Sequence, residues 1–456
     1  MNYRMIARIL GMVLLILAAL LVLPLIAGLC YGENVLNFAV TIAAAAALGG
    51  IFMLFKPKNR DIYAREGFTA VGLSWILMSL IGALPFVISG DIPSYVDALF
   101  ETVSGFTTTG STLLTDVEAM SRGCMFWRMF THWIGGMGVL VFIMAVMPMN
   151  GAHSMHLMRA EVPGPTVGKL VPRVRQTARI LYLIYFALTI IEAVLLRFGG
   201  MSNYDALLHA FANAGTGGFS NYNTSIAAFD SVPIELVLSF GMLIFSVNFN
   251  LYFFALRGRW REALKSDELL WFVAIVLAAV LAIVLNILPM YDSLWLCVKD
   301  AFFNVATIIS TTGFCTVDYC QWPMFSQLIL LLLMFIGGSP GSTAGGIKTV
   351  TAAVLVLTAI SAFCGRTTVS AFGRTIAPRS IMNAVTLLMA GGVLCLVGAC
   401  AIAGIEDAPF HQCLFEAVSA FGTVGVSMGL TPTLAAASRV ILIVMMYMGR
   451  VGVLTL

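Results

Sequence analysis

Apolar residues run along this chain in long blocks separated by short polar segments, and a block of about 20 such residues is what a helix needs to cross a bilayer. Ten runs can be read, at about 9–29, 36–55, 67–89, 126–148, 180–198, 234–256, 269–290, 325–360, 380–404 and 438–456. The pattern predicts an all-α membrane protein. The first run follows Arg4 and Arg8, as a signal peptide would, but its length and the lack of a small-residue cleavage pattern before Tyr31 predict a retained helix.

Between the runs one polar pattern recurs. DALFETVSGFTTTG (97–110), DALLHAFANAGTGG (205–218), DAFFNVATIISTTG (300–313) and QCLFEAVSAFGTVG (412–425) align without gaps, each with a Thr two positions before its final Gly. The first and last also share LFE, VS and a Phe, which argues for duplication. Ten residues before each Thr suffice for a helix of roughly 15 Å, too short to span. Each copy lies between two apolar runs, so the repeating unit is helix, re-entrant pore loop, helix. Four such tandem units, in pseudo-fourfold arrangement around one pore and preceded by an N-terminal two-helix hairpin, are the expected architecture. The expected boundaries are 1–60 for the hairpin, then 61–157, 158–264, 265–364 (its second helix broken) and 365–456, with the last helix cut short at Leu456.

Non-helical backbone at membrane depth is tolerated only when buried in protein or lining a watery cavity, and four loops meeting on one axis satisfy that condition. Glycine reaches the φ > 0 conformations that turn successive carbonyls to one side, and rings of carbonyls replace the hydration shell of an alkali cation in filters that read TVGYG. Thr423, Val424 and Gly425 spell TVG here; the other strands are Thr108, Thr109, Gly110, then Thr216, Gly217, Gly218, then Thr311, Thr312, Gly313. These twelve residues are the candidate potassium ligands, and the filter is the only metal site expected. Ser111, Phe219, Phe314 and Val426 replace the Tyr-Gly tail, which predicts a shorter filter. Glycines that merely allow close helix packing explain one such loop, not four at one spacing. The backbone, rather than the threonine side chains, is expected to do the ligation, with a first pore helix from about Ala98 to Phe106.

The helix after each loop carries its own signal. Gly135 and Gly136 lie 25 residues past Gly110, Gly337 and Gly338 lie 24 past Gly313, and Gly449 and Arg450 lie 24 past Gly425, while the second unit offers Gly241 with Asn248 and Asn250 beyond it. GGSPGSTAGGIKT (337–349) cannot hold a stable helix. A broken helix with a mobile gating loop below the filter is therefore predicted, its candidate residues being Gly337, Gly338, Gly341, Ser342, Thr343, Gly345, Gly346 and Lys348. Arg450 lies 11 residues past Arg439, about 16 Å along a helix. A charge at that depth marks a functional site, read here as a barrier to cations in the path; pairing with a buried acid is the competing reading, with Glu101 and Glu416 too near the outer surface to serve.

Composition agrees: 60% of residues are hydrophobic and 10% charged, and a mean hydropathy of +0.97 excludes an ordinary soluble domain. With the N-terminus cytoplasmic, segments 1–8, 56–66, 159–179, 257–268 and 366–379 hold 18 of the 25 Lys and Arg, whereas 16 of the 22 acids lie toward the outer half. Loop charge thus supports this orientation, and an acidic outer vestibule would concentrate cations. The nine cysteines lack metal-site spacing and read as small buried residues, with Cys315 and Cys320 the one pair placed for a bridge. The five histidines form no HExxH or nucleophile triad, so no enzyme is expected, and His132 and His411 read as interfacial.

The four T-x-G loops, GGSPGSTAGGIKT and YMGRVG together resemble the Trk/Ktr/HKT superfamily of potassium transporters over essentially the whole chain. The N-terminal hairpin (9–55) and the basic segment MRAEVPGPTVGKLVPRVRQTA (158–178) are more similar to its TrkH branch than to its KtrB branch. The resemblance implies potassium uptake across a bacterial inner (cytoplasmic) membrane, with the potassium ion as substrate and no covalently bound cofactor. It also implies the twelve filter residues above, an intramembrane gating loop at 337–348 and Arg450 as a charged barrier. Its implied partners are a second copy in a homodimer, membrane lipid and a cytosolic TrkA-like nucleotide-binding regulatory subunit on the basic inner face, with no nucleic acid. The alternative is an alternating-access carrier of a small solute or a sodium-coupled cation, which would favour inverted repeats; the repeats here run in one sense. Coupling to protons or sodium stays open.

Overall fold

The computed structural model describes residues 2–55, 64–138, 174–366, 368–371 and 374–452. It is helical throughout, apart from a two-residue ribbon that pairs Ser370–Ala371 antiparallel with Arg374–Thr375. The stretch 56–63 and most of the basic segment 158–178 lie outside the described residues.

Tyr3–Leu20 with Val22–Cys30, and Leu36–Met53, form the N-terminal hairpin. They meet backbone to backbone at Gly11 and Gly49, where a side chain on either would run into the other's carbonyl oxygen. Glu33, in the hairpin's turn, accepts from the amides of Arg122 (2.6 Å) and Gly123 (2.8 Å), so a carboxylate satisfies the bare amide end of a neighbouring helix.

Four units follow. Their entry helices are Ala64–Gly82 continued by Leu84–Ser89, then Val174–Phe198, Asp267–Ile287 and Pro378–Ala403. The pore helices are Tyr95–Phe106, Asn203–Ala214, Leu294–Ile309 and Phe410–Gly422. The exit helices are Arg122–Met137, Val232–Phe245 with Phe249–Leu256, Met324–Ile336 with Thr349–Phe363, and Ala436–Val451. Entry helices are apolar on both sides, as a helix between lipid and protein must be: along Asp267–Ile287, Leu270, Val273, Leu277, Leu281 and Leu285 are exposed while Phe272, Val276 and Ile283 are buried.

Six described segments are long and apolar enough to cross a membrane: Tyr3–Cys30, Leu36–Met53, Glu66–Ser89, Ala178–Phe198, Asp267–Met290 and Pro378–Ala403. The other four runs coincide with the exit helices. The run 325–360 divides around residues 337–348, as the glycines predict. The run 234–256, read as one apolar span, turns by 91° between Phe245 and Phe249.

The first two pore helices start at Ser94 and Ser202, whose hydroxyls accept from the amides of Asp97 and Asp205. Serine caps the helix and the acid three residues on favours its positive end, which is why the first begins at Tyr95 rather than near Ala98. At three joints the pore helix is tied to the exit helix of the unit before it around the ring. The Tyr204 hydroxyl donates to the Arg122 carbonyl (2.6 Å), Lys299 pairs with Glu235 (2.6 Å), and Arg439 of the fourth unit pairs with Asp97 of the first (2.5 Å).

The described cysteines are all free, Cys315 and Cys320 included. Cys124, Cys297, Cys395 and Cys413 are buried, but Cys30, Cys320, Cys364 and Cys400 are exposed, so burial holds for only part of the set.

Candidate functional site

Each pore helix ends where its Thr turns left-handed. The φ values are 57°, 55°, 58° and 55° at Thr108, Thr216, Thr311 and Thr423, and 83°, 74°, 86° and 77° at Gly110, Gly218, Gly313 and Gly425. A β-branched residue at positive φ must be held there by its surroundings, and the holding bonds recur. The amides of Thr109, Gly217, Thr312 and Val424 each reach back five residues, to the carbonyls of Ser104 (2.8 Å), Ala212 (2.9 Å), Thr307 (2.9 Å) and Ser419 (2.9 Å). That is the six-to-one bond of a Schellman cap, with Thr in the place glycine usually takes. In each strand the positive φ of the Thr and of the Gly alternates with a middle residue that does not take it.

The loops close a ring. A Cβ at Gly110 would collide with the Gly217 carbonyl oxygen, at Gly218 with that of Thr312, at Gly313 with that of Val424, and at Gly425 with that of Thr109. Unit one meets two, two meets three, three meets four and four meets one. In each strand Thr and the middle residue are buried and the glycine alone is half-buried. The middle side chains turn away from the axis: Thr109 bonds to Thr107 (2.8 Å) and Thr312 to Ser310 (2.7 Å), while Val424 sits in the apolar core. Gly217 is glycine because the His132 ring occupies the space a side chain would take. His132, expected at an interface, is fully buried and stacked on Phe219 with centroids 4.2 Å apart; His411 is exposed.

Beneath the ring lies the loop 337–348, a compact turn whose ends pair through Lys348 N to Ile336 O (2.8 Å), Ile347 N to Phe335 O (3.1 Å) and Thr349 N to Gly338 O (3.0 Å). Gly337, Gly341 and Gly346 take positive φ, and Gly338 packs on Ala344. Ser342 donates to the Ser339 carbonyl (2.6 Å), and the buried Lys348 ammonium sits on the Ala344 carbonyl. One side of the loop rests on the bend of the second exit helix: Ser339 N donates to Ser246 O (3.0 Å), Thr343 Oγ1 to Phe245 O (3.0 Å) and Phe249 N to Gly341 O (3.0 Å). Its top touches the ring, where Gly345 N donates to Thr311 Oγ1 (2.8 Å) and leaves no room for a side chain against Thr423.

Arg450 joins ring, loop and first exit helix. Its guanidinium donates to Thr108 Oγ1 (3.1 Å), Thr343 O (2.7 Å), Gly135 O (2.6 Å) and Gly136 O (2.9 Å). The threonine hydroxyls, expected to matter less than the backbone, are thus where the floor attaches. Gly135 and Gly449 admit the carbonyls of Phe106 and Phe421, two residues before the filter threonines of their units, against their helices.

Sequence reasoning missed two sets of residues. One braces the strand past three of the loops: in units one, two and four the fifth residue of the repeat reaches the residue eleven further on. Glu101 accepts from Thr112 Oγ1 (2.6 Å), His209 Nε2 bonds to Ser220 Oγ (3.1 Å), and Glu416 accepts from Ser427 Oγ and from Thr431 Oγ1 (2.7 Å). Glu101 also pairs with the buried Arg128 (3.1 Å), whose guanidinium lies 3.5 Å from the centroid of the Phe219 ring. A polar residue at one repeat position in all four copies, Glu101, His209, Asn304 and Glu416, was the available signal. The other set is Tyr182, Tyr185, Thr189 and Glu192, a polar stripe at helical spacing on the second entry helix. Tyr182 donates to Gly138 O (2.9 Å), Tyr185 to Trp133 O (3.0 Å), and Thr189 accepts from Trp133 Nε1 (3.2 Å).

Four such backbones meeting in one ring can offer carbonyl oxygens, the chemistry that substitutes for water around a bare alkali cation. Residues 33–456 match the family model TrkH, described as a cation transport protein. The chain is 36% identical over 364 residues to the Trk system potassium uptake protein TrkH of Escherichia coli (strain K12), covering 77% of this chain and 74% of that protein. It is 35% identical over 332 residues to the Trk system potassium uptake protein TrkG of the same strain, covering 71% and 68%. The crystal structure of the potassium transporter TrkH from Vibrio parahaemolyticus matches with a TM-score of 0.88 at 29% identity, covering 100% of this chain and 98% of that one.

Proposed function

Because this chain belongs to the TrkH family of cation transport proteins, we propose that it takes up potassium through a channel-like pore across a bacterial cytoplasmic membrane. The observation that carries this reading is the closed ring of four T-x-G backbones with one shared pattern of positive φ. In it, the carbonyls of Thr108, Thr109, Gly110, Thr216, Gly217, Gly218, Thr311, Thr312, Gly313, Thr423, Val424 and Gly425 ligate the ion. The pore-helix starts face outward and the N-terminus inward, as the loop charges favour. The four helices then aim their negative ends at the ion below the filter.

Residues 337–348 form the gate, and Arg450 both holds it shut and repels cations beneath the filter. Opening moves the loop off Thr311 and away from the Arg450 guanidinium. The working protein is a homodimer, and a cytosolic TrkA-like nucleotide-binding subunit docks on the basic inner face to drive that movement.

The test is rubidium uptake into proteoliposomes with potassium and sodium as competitors. Gly425→Ser and Gly110→Ser each force a side chain into the next strand's carbonyl at positive φ, and each should cut uptake or its preference for potassium at least tenfold. Unchanged selectivity in both folded variants would sink the filter. Uptake that saturates with a small solute and ignores potassium would favour an alternating-access carrier.

A further inference from the structure

Glu192 is buried on the second entry helix, six residues from its end at Phe198, about 9 Å along the axis. Its Oε1 accepts from Asn213 Nδ2, which also donates to the Leu238 carbonyl (3.2 Å). Among the described residues its Oε2 meets no donor, and neither does Asn213 Oδ1. Gly241 makes the space: a Cβ there would run into the Glu192 carboxyl and the Asn213 amide. An ionised carboxylate that is buried with one donor, and with no ion-pair partner among the described residues, is among the most unfavourable groups a membrane helix can carry.

The neighbouring groups are engaged elsewhere. On its own helix Tyr185 donates to Trp133 O, and beyond the bend Tyr252 donates to Ile244 O (2.6 Å). On the first exit helix Arg128 pairs with Glu101 and His132 stacks on Phe219. On the pore helix Asp205 is held by Ser202, Asn221 and Tyr222, and His209 by Ser220. On the second exit helix Glu235 pairs with Lys299, and beneath the ring Arg450 reaches the oxygens named above.

Glu192 Oε2 and Asn213 Oδ1 are the remaining oxygens of two groups already joined by one bond, both lack a donor among the described residues, and one proton supplies it. We infer that Glu192 is a proton-binding site. Oε2–H donates to Asn213 Oδ1 while Asn213 Nδ2–H donates to Oε1, a cyclic acid–amide pair; the proton is taken from water and returned to it. The pair reaches the second loop directly, because the Asn213 carbonyl accepts from the Thr216 amide (2.8 Å), the bond that starts the second T-x-G strand. With the proton bound, the entry helix clamps the pore helix behind this strand. Once it leaves, one bond of the pair is lost, a bare charge replaces it, and the strand loses its support. The clamp is therefore whole on the acid side and released as pH rises. This inference rests on reading the loops as the filter.

The test uses the full chain in liposomes. Infrared spectra across pH should show a protonated carboxyl band that disappears at high pH and is missing from Glu192→Gln. Rubidium uptake and its preference over sodium should fall several-fold in the wild type over the same pH interval. Glu192→Gln, whose amide supplies both donor and acceptor, should keep the low-pH behaviour throughout, and Glu192→Leu should show the high-pH behaviour throughout. No band lost in Glu192→Gln, or a wild-type pH profile in that variant, would overturn the proposal. A Glu192 band with no potassium preference at any pH would leave the proton site standing and remove the filter reading instead.

Discussion

The ring and the floor beneath it are built by opposite rules. At Thr108, Thr216, Thr311 and Thr423 the φ angles agree within a few degrees, whereas the exit helices just below diverge. The first and fourth are unbroken over Arg122–Met137 and Ala436–Val451, the second turns by 91°, and the third opens into residues 337–348. Coordination of one ion by four strands demands equal strands, since an oxygen out of place is a ligand lost. A gate demands inequality, because one arm must move while the others stay. The fourfold repeat is therefore kept where ligation is proposed and abandoned where movement is.

Even the ring is unequal in what supports it, and that gives the largest expected effect. Glu101 and Glu416 occupy the same repeat position, but Glu101 neutralises the buried Arg128 while Glu416 accepts from neutral groups, the hydroxyls of Ser427 and Thr431 and the backbone at Met428 and Thr431. Removing one member of a buried ion pair typically costs about 3–5 kcal/mol; leaving hydroxyls without an acceptor costs about 1–3 kcal/mol. Glu101→Ala should lower the unfolding temperature in detergent clearly more than Glu416→Ala. Equal losses would mean that Arg128 is satisfied by Ser220 and Phe219 alone.

In the floor, Arg450 is the hub. Each of its bonds to a neutral oxygen is charge-assisted, worth about 1.5–3 kcal/mol, and of the four named above the one to Thr343 lies on the loop. Arg450→Ala should therefore raise basal conductance about tenfold, the equivalent of about 1.4 kcal/mol, by freeing the loop and removing the barrier together. Single-channel recording separates these: open probability reports the loop and unitary current reports the charge. A lower or unchanged open probability would assign Arg450 to packing.

The same division explains how much could be read from residues alone. The ring was legible because duplication wrote Thr and Gly four times at one spacing, and the break in the third exit helix because five glycines and a proline within residues 337–349 cannot stay helical. The bend of the second exit helix left no such mark. SFGMLIFSVNFN offers only Gly241, Asn248 and Asn250, which do not by themselves forbid a helix, and the turn is made by tertiary bonds, with the loop of another unit taking the carbonyls of Phe245 and Ser246. His132 was misread for a related reason: its partner is an absence, the missing side chain of Gly217. The left-handed threonines were illegible too, because propensity disfavours β-branched residues there and only the recurring five-residue back-bond holds them.

The smallest expected effect falls where ring and floor touch. Gly345 N donates to Thr311 Oγ1 at 2.8 Å, both buried, and Thr311→Val keeps the shape while deleting the acceptor. A neutral hydrogen bond contributes about 1 kcal/mol, so the closed loop should lose about a factor of five in population. Basal uptake should rise by about that factor, less than for Arg450→Ala, with ion preference unchanged because the Val backbone can hold the same strand. Selectivity that falls along with the rise in uptake would mean that the floor also sets the shape of the ring, and the division between equal strands and an unequal gate would fail at Thr311.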